Sequence, residues 1–154
     1  MNVLGGIDLL KIKDLSNVIA MAQENNFDEH VFYNPINHSI ELAFTYDRMD
    51  EDLVFEEKDG LIEVVVRPFG RDMFHAFFET IEHPKVRAMF FERFHGTGKY
   101  RRVKDLFPRY HLLEEFYEFK NQYEQRIAKQ WCENHNISYI DENGKNVSVS
   151  SLKR

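Results

Sequence analysis

Apolar residues recur at helical spacing early in the chain. Leu15, Val18, Ile19 and Ala22 fall at i, i+3, i+4 and i+7, one face of an α-helix. Asp14 is placed to cap its start and Asn25-Asn26 to stop it. The period then drops to two. Val31 and Tyr33 alternate with polar neighbours, and Ile40, Leu42, Phe44 and Tyr46 alternate with Ser39, Glu41, Ala43 and Thr45. Asn34-Pro35-Ile36-Asn37 between these runs is turn chemistry, so the pattern predicts a β-hairpin. Leu53–Phe55 and Leu61–Val66 read as two further strands, joined through Lys58-Asp59-Gly60, where Asp and Gly tolerate positive φ.

Helical spacing returns after Pro68-Phe69-Gly70. Phe74, Phe77, Phe78 and Ile81 share one face. Pro84 suits a helix start, and Val86, Met89, Phe90 and Phe94 share the next face. His95-Gly96-Thr97-Gly98 breaks that run. A short helix over about 99–107 ends before Pro108, and the longest helix carries Leu112, Phe116, Phe119, Tyr123, Ile127 and Trp131 on one stripe. Asn143-Gly144 between Ser138–Ile140 and Lys145–Val149 signals a final hairpin. Strands first and helices later predict an α+β fold, with antiparallel hairpins of the N-terminal half packed on a helical C-terminal half. Phe74, Phe78, Phe90, Phe116, Phe119 and Trp131 are expected to be buried in one cluster.

The length, 154 residues, suits a single domain over 1–154, with 138–154 as a C-terminal hairpin or tail. Fourteen phenylalanines promise a core dense in rings. Cys132 is the only cysteine, so no intramolecular disulfide can form; together with an N-terminus broken by acid and lysine, this points to a cytoplasmic protein without a membrane span. The sequons at Asn37, Asn136 and Asn146 are then without consequence.

Charge divides the chain. The net value of −6 argues against binding nucleic acid over the whole surface. Residues 47–63 hold eight acids, with Asp50, Glu51, Asp52, Glu56 and Glu57 at their centre, and 47–52 is expected to be a loop. Residues 96–111 instead hold Lys99, Arg101, Arg102, Lys104 and Arg109 against Asp105 alone.

The one segment with anion-site chemistry is His95–Asp105. Gly96 and Gly98 allow a tight turn into a helix, and Lys99, Arg101, Arg102 and Lys104 add charge for a phosphate or a nucleic-acid backbone. The bland alternative is a helix break followed by a solvated basic face. A Walker loop is excluded, since Arg93 stands where its first glycine belongs and Tyr100 where Ser or Thr follows the lysine. Asp72, His75 and Glu79 share a helix face opposite the apolar one and read as solvated rather than metal-binding. Cys132 with His135 lacks an electropositive setting beside Glu133, so an inert thiol is expected. The aromatic stripe of the longest helix reads as core rather than as a stacking platform. No catalytic set, metal set or cofactor motif emerges.

Gly96-Thr97-Gly98-Lys99-Tyr100-Arg101-Arg102-Val103-Lys104-Asp105, followed by Phe116-Tyr117-Glu118-Phe119 and then Trp131, resembles the signature of an uncharacterised bacterial protein family. Its members carry Gly-x-Gly-x-x-Arg-Arg-x-Lys-Asp, then Trp-x-x-Phe and a late Trp. The likeness spans most of 10–137. Thr97 stands for a family lysine, Phe116 for the first helix tryptophan, and Tyr33-Asn34-Pro35 for a Tyr-Leu-Asp segment. That family has no assigned activity. The resemblance implies a shared fold, with 1–137 as the family-like core, and makes the Gly/Arg segment a family feature. The expected function is a non-enzymatic interaction module of inhibitor or immunity-protein type, presenting Asp50, Glu51, Asp52, Glu56 and Glu57 to a basic partner. The alternative is binding of a nucleotide or nucleic acid at Gly96–Lys104.

Overall fold

The computed structural model describes residues 9–24, 29–44 and 60–149. The fold is α+β, with antiparallel strands in the N-terminal half and helices after Gly70. Packing divides the chain into two compact units, one drawn from 1–67 and 124–154 and the other being Pro68–Tyr123.

In the first unit, β1 (Leu10–Lys11) leads directly into α1 (Ile12–Ala22). Lys11, not Asp14, is the N-cap. Parallel pairing of β1 with β5 (Tyr139–Ile140) holds the chain extended through Lys11, so the helix starts there. Asp14 falls inside the first turn, where its charge faces the positive end of the helix dipole. β2 (Glu29–Asn34) and β3 (Ser39–Phe44) form the expected hairpin, and β4 (Ile62–Glu63) adds to the other side of β2, giving the order β3-β2-β4. The Leu61–Val66 run is thus strand only at its start, although the Val64 amide still donates to the Val31 carbonyl at 2.8 Å. Leu53–Phe55 and Lys58-Asp59 lie outside the described residues.

Residues Leu15 and Ile19 of α1 are buried together with Val31 and Tyr33 of β2, which occupies the centre of its sheet. Only a narrow crevice of about 20 Å³ is left among Val18, Ile19, Ala22, Val31, Val64 and Val66. The final hairpin pairs β5 with β6 (Asn146–Val147), but its loop is 141–145 rather than two residues. Asp141 sets it: its Oδ1 accepts from the amides of Asn143 and Lys145, both at 2.9 Å, and Gly144 supplies positive φ. Those amide bonds, that from Lys145 first, hold the Asp141 carboxyl below the usual aspartate range.

The second unit comprises α2 (Gly70–Glu79), α3 (Pro84–Arg93), α4 (Lys99–Leu106), a 3-10 turn (Phe107–Tyr110) and the first half of α5 (Leu113–Asn134). The boundaries follow local chemistry. The His83 ring Nδ1 accepts from the Lys85 and Val86 amides ahead of Pro84. Thr80 closes α2, its hydroxyl donating to the Phe77 carbonyl at 2.6 Å. Inside, the phenylalanines interlock. Phe107 lies 4.8 Å from Phe116 between ring centroids, Phe74 lies 4.9 Å from Phe116, and Phe78 stacks on Phe90.

Two packing expectations need correction. The six rings expected as one cluster divide between the units: Phe74, Phe78, Phe90, Phe116 and Phe119 belong to the second, and Trp131 to the first, edge-on to Tyr33. Phe119 is only half-buried. The buried stripe of α5 also turns after Tyr123. Glu124, Ala128, Trp131 and Cys132 are buried, while Ile127 is partly exposed. Past the end of α5, Asn136 takes the left-handed region and the Ile137 amide returns to the Cys132 carbonyl at 2.9 Å.

Candidate functional site

The Gly/Arg segment is built around one side chain. α3 ends at Arg93, and Gly96 and Gly98 both take φ of 74°, which turns the chain into α4 within a few residues. That turn leaves carbonyls without helical partners. Arg102 collects them: its Nε donates to the Arg93 carbonyl at 3.2 Å, Nη1 to Thr97 at 3.3 Å, and Nη2 to His95. The planar fork of a guanidinium suits several acceptors at once. Arg102 therefore acts as a cap on the C-terminal end of α3, where positive charge is favoured.

The neighbouring residues share this structural work. Lys99 Nζ sits 4.8 Å from the centroid of the Phe94 ring. Tyr100 packs edge-on against Phe74 and Phe94, each at 5.1 Å, and its ring would touch a Cβ built on Gly70 at 3.4 Å. Val103 is fully buried and anchors α4. Arg101 and Lys104 are exposed. Of the six residues expected to hold an anion, Gly96, Gly98 and Arg102 are thus bound up in the turn, and Arg101 and Lys104 face solvent. The acidic set Asp50, Glu51, Asp52, Glu56 and Glu57 lies outside the described residues.

The remaining constellations resolve individually. Asp72 and Glu79 are exposed, but His75 is not fully solvated as expected. It is half-buried, with its ring 5.4 Å from both Phe91 and Phe94. Among the described residues no group of three or more His, Cys, Asp and Glu side chains is gathered for a metal ion. Cys132 is fully buried. Burial, helped by the Glu133 charge, pushes its thiol up to about 12, so the reactive thiolate is suppressed at neutral pH. His135 turns to the Trp131 carbonyl at 2.8 Å and stacks on the Trp131 ring. No helix among the described residues is long and apolar enough to cross a membrane.

A site that sequence reasoning missed lies between α1 and β3. The alternation in Ile40 and Leu42 implied an inward face, yet Leu42 is 43% exposed. Val18, Ile19 and Ala22 of α1 lie beside Val31 of the central strand, while Leu42 on β3 is left open. The result is a groove of about 600 Å³, with Val18, Ile40 and Leu42 as its apolar wall and Lys11, Asp14, Asn17 and His38 as polar rim. Among the described residues β3 pairs only with β2. Side-chain hydrogen bonds hold the turn at its head. Asn34 Oδ1 accepts from the Ile36 amide, Asn37 Oδ1 accepts from the Ser39 amide and hydroxyl, and Tyr33 Oη lies 2.8 Å from His38 Nδ1.

The chain matches no family model, no curated protein and no solved structure.

Proposed function

We propose that this protein is a non-enzymatic interaction module of inhibitor or immunity-protein type, which takes an extended segment of a partner protein along β3. The observation that carries this reading is the groove of about 600 Å³ beside β3, which pairs only with β2 among the described residues. An edge strand offers main-chain donors and acceptors to an added strand, and the adjoining hollow receives alternate side chains. Leu42 and Ile40 supply apolar contact. The acidic run with Asp50, Glu51, Asp52, Glu56 and Glu57 follows β3 directly in sequence and favours a partner segment rich in Lys and Arg.

The test is capture of partners from a gentle lysate on the immobilised protein, followed by affinity measurement on purified components. Leu42→Asp should weaken the complex at least tenfold without unfolding the protein. Neutralising Asp50, Glu51 and Asp52 together should mainly slow association and reduce its salt dependence. A partner whose affinity ignores both changes would remove the groove reading.

A further inference from the structure

We infer that the turn joining α3 to α4 is a docking surface for the phosphodiester backbone of a nucleic acid, contacted without base readout through Arg93, Lys99, Arg101 and Lys104. This surface is separate from the β3 groove and does not depend on it.

The case begins with the cation that is removed from it. Arg102 has its fork on the carbonyls of Arg93, His95 and Thr97, so its role is to fix the turn. In doing so it ties the end of α3 to the start of α4. Arg93 is exposed at the end of α3, Arg101 and Lys104 are exposed on α4, and Lys99 rests over the Phe94 ring with part of its surface free. None of these four is in an ion pair among the described residues. Residues 92–105 hold five cations against two carboxylates, Glu92 and Asp105, in a chain whose net charge is −6. Local excess of one sign against the overall balance concentrates the attraction on this surface.

The arrangement decides between a single phosphate and a polyanion. Arg101 and Lys104 are both exposed and share one face of α4. Arg101 and Lys104 are three residues apart, roughly 4.5 Å along a helix. Along each strand of a duplex, successive phosphates advance about 3.4 Å of axial rise. Long side chains on such a row reach neighbouring phosphates. Two exposed glycines, Gly96 and Gly98, keep the turn low, and a Cβ at either would meet nothing within 4 Å, so a backbone can approach. Lys99 and Arg101 also stand at the positive end of α4, which adds to the attraction.

The probe is a fluorescein-labelled oligouridine, titrated by anisotropy at several salt concentrations against the full chain. Binding should be saturable at low salt, with log affinity falling against log salt with a slope of about −2, as for roughly three neutralised phosphates of a single strand. Arg101→Ala with Lys104→Ala should weaken binding at least tenfold and reduce the slope by about 1 or more, with the melting temperature unchanged. Glu92→Gln with Asp105→Asn should tighten it. Leu42→Asp should leave it unchanged, which separates this surface from the groove. No saturable binding at low salt would overturn the inference. So would a slope indifferent to the Arg101/Lys104 pair, or inorganic phosphate competing as well as unlabelled oligouridine.

Discussion

Residues Pro68–Tyr123 and the sheet unit treat their apolar surface in different ways. In the helical unit Phe77, Phe78, Phe90, Phe107 and Phe116 are essentially inaccessible, and each ring lies within about 6 Å of several others. Every element contributes rings to a shared interior. In the sheet unit β2 is buried on both faces, with Val31 and Tyr33 on one and Phe32 on the other, while β3 next to it leaves Leu42 open. Closure in one unit and a half-covered strand in the other give their apolar surfaces different tolerance to change. A closed core resists change because a removed ring leaves a void; an open strand tolerates change because water already reaches it.

The largest expected effect breaks the closed unit. Phe78→Ala or Phe107→Ala should cost about 3–5 kcal/mol, the transfer of the ring plus the cavity it leaves. Denaturant unfolding followed by circular dichroism measures it. A loss below about 1 kcal/mol would mean the ring network is not the source of that unit's stability.

Next in size is an alkaline limb that belongs to the sheet unit. The Cys132 thiol is raised by burial from 9.0 to about 12, and burial raises the Tyr33 and Tyr139 hydroxyls as well. A group with a raised folded pKa gives its full stabilisation below the unfolded value and loses it as pH rises toward the folded value. Stability should therefore fall from about pH 9 toward pH 12, at about 1 kcal/mol for each pH unit that the thiol resists ionisation. Cys132→Ala should give a shallower fall, read from urea midpoints across that window. An unchanged slope would assign the alkaline loss to other groups.

Arg102 sharpens the comparison inside the helical unit. Arg102→Ala removes three donors from carbonyls at a partly exposed turn, and should cost about 1–2 kcal/mol. Arg102→Lys should recover little, since an ammonium cannot reproduce the fork. Gly98→Ala should cost about 1 kcal/mol through φ alone, because the added methyl meets no atom. Thermal melts of the three variants would separate capping from backbone strain.

Several of these features were legible in the sequence because their causes are local. The α3 start rests on His83 and Pro84, the β2–β3 hairpin on Asn34 and Asn37, and the α3–α4 break on Gly96 and Gly98. What was missed depends on distant partners. β1 is two residues long and exists through Tyr139 and Ile140, so it carries no period of its own. The turn of the α5 stripe onto Glu124, Ala128 and Cys132 follows from the elements packed on it, and a glutamate on the buried side hides the pattern. Arg102 read as one of four similar cations, because an arginine reaching carbonyls up to nine residues back leaves no mark in spacing. The β3 groove was invisible for a related reason. Alternation shows which residues share a face, but what covers that face is a property of the helix set against it.

The smallest expected effect tests that last point. Leu42→Lys places a charge on the apolar side of a strand, a change that in a covered sheet would bury an unpaired ion. Because Leu42 is 43% exposed beside an open groove, the ammonium can extend into water while its stem stays on the sheet. Stability should then change by no more than about 0.5 kcal/mol, the usual range for surface positions. The same change at Val31, 4% exposed on the neighbouring strand, should unfold the sheet unit. If Leu42→Lys destabilised by about 2 kcal/mol or more in denaturant melts, the β3 face would be closed in solution and the groove would not exist as a binding surface.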